Sequence, residues 1–132
     1  MKLSYTIGIG IDIINITRFE RLLEKGGTFT NRLSKRILHP NELLKFNKLN
    51  GKRKIEFITG SWASKEALFK TLDIEDQKQF NFNQWYRSYN NHGKPFIWND
   101  AYFKNEEFHL SLSHDSSFII ATVLRQKIYN NV

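Results

Sequence analysis

The sequence predicts an α+β fold, and three observations support this prediction. A segment rich in β-branched residues near the N-terminus predicts a strand, apolar residues recur at helical spacing through the middle, and apolar residues alternate along the last third. No repeat, low-complexity linker or shift in composition interrupts the 132 residues. We therefore expect one domain over residues 1–132, an antiparallel sheet packed with one long and several short helices.

The first predicted strand covers residues 5–16, where β-branched side chains dominate. Gly8 and Gly10 within it indicate a bend or a close approach of another backbone. Thr17 then provides an N-cap, and Glu20 three residues later completes a capping box, which predicts a helix to about residue 25.

Three more helices are predicted before the remaining strands. Residues 29–38 carry apolar side chains at helical spacing, and Pro40 suits the first turn of a helix over residues 41–49. The longest pattern covers residues 52–72, with Ile58, Trp62 and Phe69 on one face. Residues 73–79 predict a polar loop, and the strands follow over residues 79–89, 94–98, 108–114 and 118–125.

The composition limits which partners the chain can favour and which kinds of site it can contain. Lys and Arg outnumber Asp and Glu by 20 to 13, a formal charge of +7, which favours anionic partners such as nucleic acids, phosphorylated cofactors or acidic proteins. The absence of Cys excludes disulfides, a thiol nucleophile and thiolate metal sites, so any metal must bind Asp, Glu or His. No apolar run approaches the roughly 20 residues of a membrane span, and the first residues show no signal peptide.

Glu66 is the most unusual residue of the long helix, because it shares the apolar stripe of Ile58, Trp62 and Phe69. A buried carboxylate needs a cation or hydrogen bonds. Lys70 stands four residues later, so an ordinary Glu–Lys helix pair is one explanation and a functional site is the other. Lys65 falls on a different face and is expected to be solvated.

Asp12 is unusual in a strand whose neighbouring residues are apolar or Gly. It fits a metal or catalytic site, or a strand-end residue that caps the following helix. The contiguous Ser113, His114 and Asp115 do not form a hydrolase triad, because neighbours on one strand point to opposite faces. Lys52, Arg53 and Lys54 form a basic group that suits phosphate binding or a solvated surface.

Together these segments resemble the short, single-domain 4′-phosphopantetheinyl transferases of the holo-[acyl-carrier-protein] synthase type. The resemblance covers nearly the whole chain and follows four motifs in order: Gly8-Ile-Gly-Ile-Asp12-Ile, Trp62-Ala-Ser-Lys65-Glu66-Ala67-Leu-Phe-Lys70, Gly93-Lys94-Pro95 and Leu110-Ser-Leu-Ser113-His114-Asp115. Such enzymes transfer the phosphopantetheine arm of coenzyme A to a serine of an apo-acyl carrier protein and release adenosine 3′,5′-bisphosphate.

The resemblance implies roles for the unusual acids. Asp12 and Glu66 would bind Mg²⁺, a hard cation that takes carboxylate, phosphate and water oxygens. Lys70 would stabilise the charge that develops on the leaving group, and His114 would lie near the phosphates. Glu66, directly or through a water, would accept the proton of the serine.

The resemblance also implies a coenzyme A site that includes Lys70, Gly93, Lys94, Pro95 and His114. The family usually has a basic residue where Ser61 stands, and we expect Arg53 or Lys54 to replace it in binding the coenzyme's phosphates. The acidic carrier protein would dock on Arg18 and Arg21 of the first helix.

The resemblance further implies a homotrimer whose sites lie between subunits, with no nucleic acid or membrane partner. A mitochondrial location is expected from the Asn-rich composition and the residues at Ser61 and Trp62, and a cytoplasmic one if the source is bacterial. Two alternatives stay open: a basic nucleic-acid-binding module, which leaves Asp12 and Glu66 unexplained, and another Mg²⁺-dependent phosphotransferase.

Overall fold

The computed structural model describes residues 1–130 and confirms the α+β class. A five-stranded antiparallel sheet has the order β1-β5-β4-β3-β2. Its strands are β1 (Lys2–Asn15), β2 (Tyr86–Tyr89), β3 (Pro95–Trp98), β4 (Glu106–Asp115) and β5 (Phe118–Asn130). The first strand thus pairs with the last one, and β1 and β2 form the two edges of the sheet.

The helices lie between β1 and β2 in the chain. They are α1 (Ile16–Glu24), α2 (Gly27–Ile37), α3 (Pro40–Lys48), α4 (Gly51–Phe69) and α5 (Ile74–Lys78), followed by a 3₁₀ turn at Phe82–Gln84. Helix α4 lies against β1 and β5, and the fully buried Ile58, Ala67 and Leu68 form part of the core between them. Within residues 1–130, none of the helices has the length and apolar character of a membrane-spanning segment.

Three local predictions were wrong. The segment 73–79, expected to be a loop, contains α5 over Ile74–Lys78, because the first turn of this helix carries Glu75 and Asp76, as helix N-termini favour. The strand expected over residues 79–89 is reduced to β2, since Phe80 and Phe82 pack in an aromatic cluster with Trp62 and Phe69.

The third wrong prediction concerns the N-cap of α1. Asn15, not Thr17, caps the helix, because the Asn15 side chain accepts a hydrogen bond from the Thr17 backbone N–H at 3.0 Å.

The sheet has one face covered by helices and one open face. Cross-strand pairing places Asp12, Ala121 and Leu112 in one row on the covered face. The adjacent residues Ile11 and Ile13 therefore point to the open face, where each is about 60% exposed. This alternation separates a candidate site on one side of β1 from an apolar surface on the other.

Candidate active site

The site is built where β1 and α4 nearly touch. A Cβ added at Gly10 would lie 1.9 Å from the carbonyl oxygen of Ala67, and one at Gly8 would lie 3.1 Å from that of Thr71. Only residues without a side chain allow this separation of helix and strand. The close approach that the two glycines predicted is confirmed, and it brings the last turns of α4 against β1.

Two carboxylates face each other across this contact. Asp12 lies two residues after Gly10, on the same face of β1, and its side chain is 16% exposed. Glu66 is half-buried one residue before Ala67. Its pKa is raised, first by burial and then by the charge of Asp12, while the positive charges of Lys70 and Arg18 oppose this shift. The pair therefore concentrates negative charge that a bound cation would relieve.

Lys70 lies beside this pair. Its ammonium group donates to the carbonyl oxygen of Ile11 at 2.7 Å and lies 3.3 Å from Oδ1 of Asp12. The sequence suggested Glu66 as its partner at helical spacing, but the hydrogen bonds go to the strand because β1 lies so close. Lys70 stays about half exposed, so its ammonium group can also reach a ligand.

Arg18 connects the first helix to the same place. Its guanidinium carbon lies 5.6 Å from the centre of the Trp62 ring, a cation–π distance, and Trp62 stands one helical turn before Glu66. A basic side chain of α1, an aromatic ring and the acidic pair therefore adjoin one another on one side of the molecule.

Comparisons with known proteins identify the family. Residues 8–123 match the family model of the 4′-phosphopantetheinyl transferase superfamily. The chain belongs to this superfamily. It is 34% identical over 122 residues to the holo-[acyl-carrier-protein] synthase of Anoxybacillus flavithermus, which covers 92% of this chain and 97% of the relative.

Solved structures agree with the family assignment. A holo-(acyl-carrier-protein) synthase from Bacillus anthracis in complex with CoA (3′,5′-ADP) matches with a TM-score of 0.76 and 33% identity over 92% of this chain and 97% of its own. The Helicobacter pylori synthase in complex with coenzyme A matches with a TM-score of 0.71 and 30% identity over 89% and 98%. The predicted phosphopantetheinyl transferase fold is confirmed.

The remaining residues predicted for this transferase site lie elsewhere on the chain. His114 is exposed at the end of β4 and pairs across the sheet with Ile119, two strands away from β1. Gly93, Lys94 and Pro95 form the turn between β2 and β3, toward the opposite edge of the sheet.

Two more predicted residues lie at the far end of α4. Arg53 and Lys54 are in its first turn, about 20 Å along the helix axis from Glu66. Lys54 lies over the ring of Phe46, with its nitrogen 4.7 Å from the ring centre. The single subunit therefore brings together the acidic pair, Lys70 and Arg18, and leaves the other predicted residues apart.

The expectation that Lys65 is solvated was wrong. Its side chain is fully buried, and its ammonium group donates to Oε1 of Glu42 and to the carbonyl oxygen of Ile37, both at 2.6 Å. Burial lowers the pKa of Lys65 to about 8, although Glu42 opposes the shift. The helix pattern could not reveal this, because the partners come from α2 and α3.

Sequence reasoning also missed Arg87 of β2. Its guanidinium donates to the hydroxyl oxygen of Ser61 at 2.9 Å and to the carbonyl oxygen of Phe57 at 3.1 Å. A basic group therefore lies at Ser61 after all, but it comes from the sheet rather than from Arg53 or Lys54. The sequence signal was weak, because Arg87 is simply one residue of a short, mixed strand.

Within residues 1–130, no group of three or more His, Asp and Glu side chains could hold a metal ion. The pair Asp12 and Glu66 still suits Mg²⁺, because this ion commonly takes one or two carboxylates and completes its shell with phosphate and water oxygens. The raised pKa of Glu66 supports the fit, since part of the shift comes from the negative charge of Asp12.

Proposed function

We propose that this chain transfers 4′-phosphopantetheine from coenzyme A to a serine of an apo-acyl carrier protein, with Mg²⁺ held by Asp12 and Glu66. The observation that carries the proposal is the contact at Gly10, which sets a half-buried Glu66 against Asp12 and beside Lys70. The match to holo-[acyl-carrier-protein] synthases over nearly the whole chain supports the reaction and both of its substrates.

Bound Mg²⁺ would neutralise the pyrophosphate oxygens of coenzyme A and act as a Lewis acid at the transferred phosphorus. The serine oxygen attacks this phosphorus, a new oxygen–phosphorus bond forms, and the pyrophosphate bond breaks to release adenosine 3′,5′-bisphosphate. Glu66, directly or through a water, accepts the serine proton. Lys70 stabilises the charge on the leaving group.

The separated residues are explained if the working unit is a homotrimer with sites between subunits. Arg53 and Lys54 lie at the opposite end of α4 from Glu66, His114 lies two strands away from β1, and the turn with Lys94 lies toward the opposite edge of the sheet. On a neighbouring subunit they can reach the coenzyme held at the acidic pair.

The open face of the sheet supports this assembly. Ile9, Ile11 and Ile13 are 68%, 60% and 61% exposed, and they stand opposite Leu124, Thr122 and Ile120 of β5. A continuous exposed apolar surface of this kind marks a protein interface. Since β1 is also an edge strand, association would protect its unpaired backbone groups.

The compatible location is the bacterial cytoplasm. The curated relatives at 34% identity come from Anoxybacillus and Geobacillus, which are bacteria, and they give the mitochondrial expectation no support.

The deciding experiment incubates the protein with coenzyme A, Mg²⁺ and a purified apo-acyl carrier protein, and weighs the carrier by mass spectrometry. We expect the carrier to gain the phosphopantetheine arm, and a carrier whose acceptor serine is changed to Ala to gain nothing. An unchanged carrier mass at high enzyme concentration would contradict the function. Hydrolysis of coenzyme A without transfer would favour another Mg²⁺-dependent phosphotransferase or hydrolase.

A further inference from the structure

A buried ionic cluster lies beside the candidate active site without contacting the acidic pair. We define it by three residues from three elements: Glu42 of α3, Lys65 of α4 and Arg87 of β2. Lys65 is fully buried and Glu42 is 5% exposed, so both charges have left water almost completely. A buried charge persists only where partners compensate it, so each contact in the cluster has a structural consequence.

Glu42 is the centre of the cluster. Its Oε1 accepts hydrogen bonds from the ammonium group of Lys65 at 2.6 Å and from the backbone N–H of His39 at 3.1 Å. Its Oε2 accepts from the backbone N–H of Arg87 at 3.1 Å, and Nε of Arg87 lies 4.0 Å away. One carboxylate therefore joins the start of α3, the middle of α4 and the beginning of β2.

The two cations hold one face of α4. Arg87 donates to Phe57 and Ser61, and Lys65 stands four residues after Ser61. Residues 57, 61 and 65 are spaced by four, so they form one row along the helix. Hydrogen bonds along this row fix both the rotation of α4 about its axis and its position along that axis.

The backbone contact on the opposite side of α4 adds little to this control beyond the hydrogen bonds of Lys70 to Ile11 and Asp12. Where α4 meets β1, the residues are Ala67 against Gly10, and Ala63 precedes by one turn. Small side chains let the backbones approach but offer few ridges that would interlock. A rotation of roughly 20° moves a helix Cα by about 0.8 Å. Such a shift at Glu66, the residue after Lys65, would change its separation from Asp12.

We propose that the Glu42–Lys65–Arg87 cluster positions α4 so that Glu66 faces Asp12, and that Lys65 itself touches neither coenzyme A nor the carrier. Lys65 is then a positioning residue inside α4, while Lys70 is the lysine that contacts the substrate. The expected change in kcat rests on the proposed function, whereas the expected change in the position of α4 rests only on the contacts described above.

The test compares Lys65→Met, Glu42→Gln and the double variant. Glu42→Gln leaves the cations of Lys65 and Arg87 without their shared counter-ion, and Lys65→Met removes the shorter of the two ion pairs of Glu42, so both single variants should melt at a lower temperature than the parent. The double variant removes the buried Glu42–Lys65 pair and leaves only Arg87 charged, and Gln still suits the third position of a capping box, so the double variant should melt at a higher temperature than Glu42→Gln. Phe108→Leu serves as the control for any loss of stability that remains in the double variant. It changes a core side chain that packs against Trp85 and Tyr102.

The kinetic readout separates positioning from stability. We expect the double variant to keep a kcat roughly 10- to 100-fold below the parent, the effect of a misplaced reacting group, with KM for coenzyme A within about twofold. Phe108→Leu, melting equally low, should keep its kcat. A KM for coenzyme A that rises about tenfold while kcat is retained would show that Lys65 contacts the coenzyme. A double variant with the full kcat of the parent would show that the cluster only stabilises the fold. Either result overturns the proposal.

A second readout does not depend on activity. Amide hydrogen exchange over the last turns of α4 should accelerate in the double variant and not in Phe108→Leu. If the parent protein fails to modify the carrier, the proposed function is wrong, and this exchange comparison still decides the positioning role: unchanged exchange in α4 overturns it.

Discussion

Glu66 is an acid at an apolar position, and the proposed metal site would account for it. Its carboxylate lies on the apolar stripe of α4, half-buried, where burial and the charge of Asp12 both raise its pKa. This placement was visible in the sequence. Asp12 was visible as an acid within a strand, and the resemblance implied that both acids bind Mg²⁺. The structure adds that Asp12 lies close enough to raise the pKa of Glu66.

The raised pKa predicts how stability changes with pH. The folded chain binds a proton at Glu66 more tightly than the unfolded chain, so the ionised carboxylate opposes folding above its folded pKa and ceases to do so as the pH falls. Without Mg²⁺, Glu66→Gln should therefore melt at a higher temperature than the parent at pH 7.5. The difference should vanish below the ordinary value of 4.5.

Thermal melts of the parent and of Glu66→Gln across pH measure this effect. Saturating Mg²⁺ should raise the melting temperature of the parent and leave Glu66→Gln unchanged. A Glu66→Gln protein that melts below the parent at neutral pH would mean that Lys70 and Arg18 outweigh burial.

Loss of either acid should stop the reaction while the fold is kept. Asp12→Asn and Glu66→Gln retain size and shape but remove the charges proposed to hold Mg²⁺, so carrier modification should fall by at least ~100-fold. Circular dichroism and carrier mass spectrometry check the two parts of this prediction. Near-normal turnover of either variant in limiting Mg²⁺ would refute the metal assignment.

Arg21 offers a cleaner test of carrier docking than Arg18, because Arg18 also lies near Trp62 and Glu66. Arg21 is exposed in the last turn of α1. Arg21→Glu should raise KM for the acidic carrier roughly tenfold and leave KM for coenzyme A within about twofold, and added salt should weaken carrier binding to the parent in the same way. Lys78→Glu on α5 makes the same charge change elsewhere and should have little effect; equal changes in both KM values would exclude a docking role for Arg21.

At the scale of elements, the contact between β1 and α4 determines the site. Gly10 leaves no room for a side chain against Ala67, whereas Gly8 leaves slightly more against Thr71. The separation of helix and strand is therefore fixed by two residues of β1, and a change there moves Glu66 away from Asp12 without touching either acid.

Gly10→Ala should push α4 away from β1, lower stability by about 1–3 kcal/mol as overpacking does, and reduce kcat strongly. Gly8→Ala requires an adjustment of only a few tenths of an ångström and should be milder in both respects. Chemical denaturation and carrier modification measure the two effects. Equal behaviour of both variants would show that the Gly10 contact does not set the geometry.

The sequence predicted the elements that depend on local patterns and missed those that depend on distant partners. The helical spacing of Ile58 and Trp62 and the alternation in β4 and β5 are properties of the segment itself, so they were predicted correctly. The shortened β2 depends on Phe80 and Phe82 packing against Trp62, and the burial of Lys65 depends on Glu42. Neither contact leaves a periodic pattern in the chain.

The whole molecule has one side where helices cover the sheet and another where the apolar face of the sheet is open. We therefore predict that copies of the chain associate through the open face. If the chain forms the proposed homotrimer, it should sediment at about three times the 15.7 kDa of the chain. Ile9→Lys places a charge in the exposed apolar row and should give single chains with no carrier-modifying activity. Leu44→Lys, at a similarly exposed apolar position on α3, should keep both assembly and activity. A fully active single chain at assay concentration would require all coenzyme contacts to be reassigned within one subunit.

The pairing of β1 with β5 also has a consequence for how the protein is made. Tyr5 and Tyr129 are hydrogen-bonded although 124 residues separate them, and β1 has no other neighbour in the described sheet. During synthesis β1 therefore leaves the ribosome long before the strand that completes its backbone hydrogen bonds. Closing so long a loop is slow, and until then an apolar strand stays unpaired. The segment that carries Asp12 is thus translated before the other strands of the sheet and is among the last to find its place. The rate of production should therefore depend on chaperones and temperature more than the stability of the finished fold would suggest.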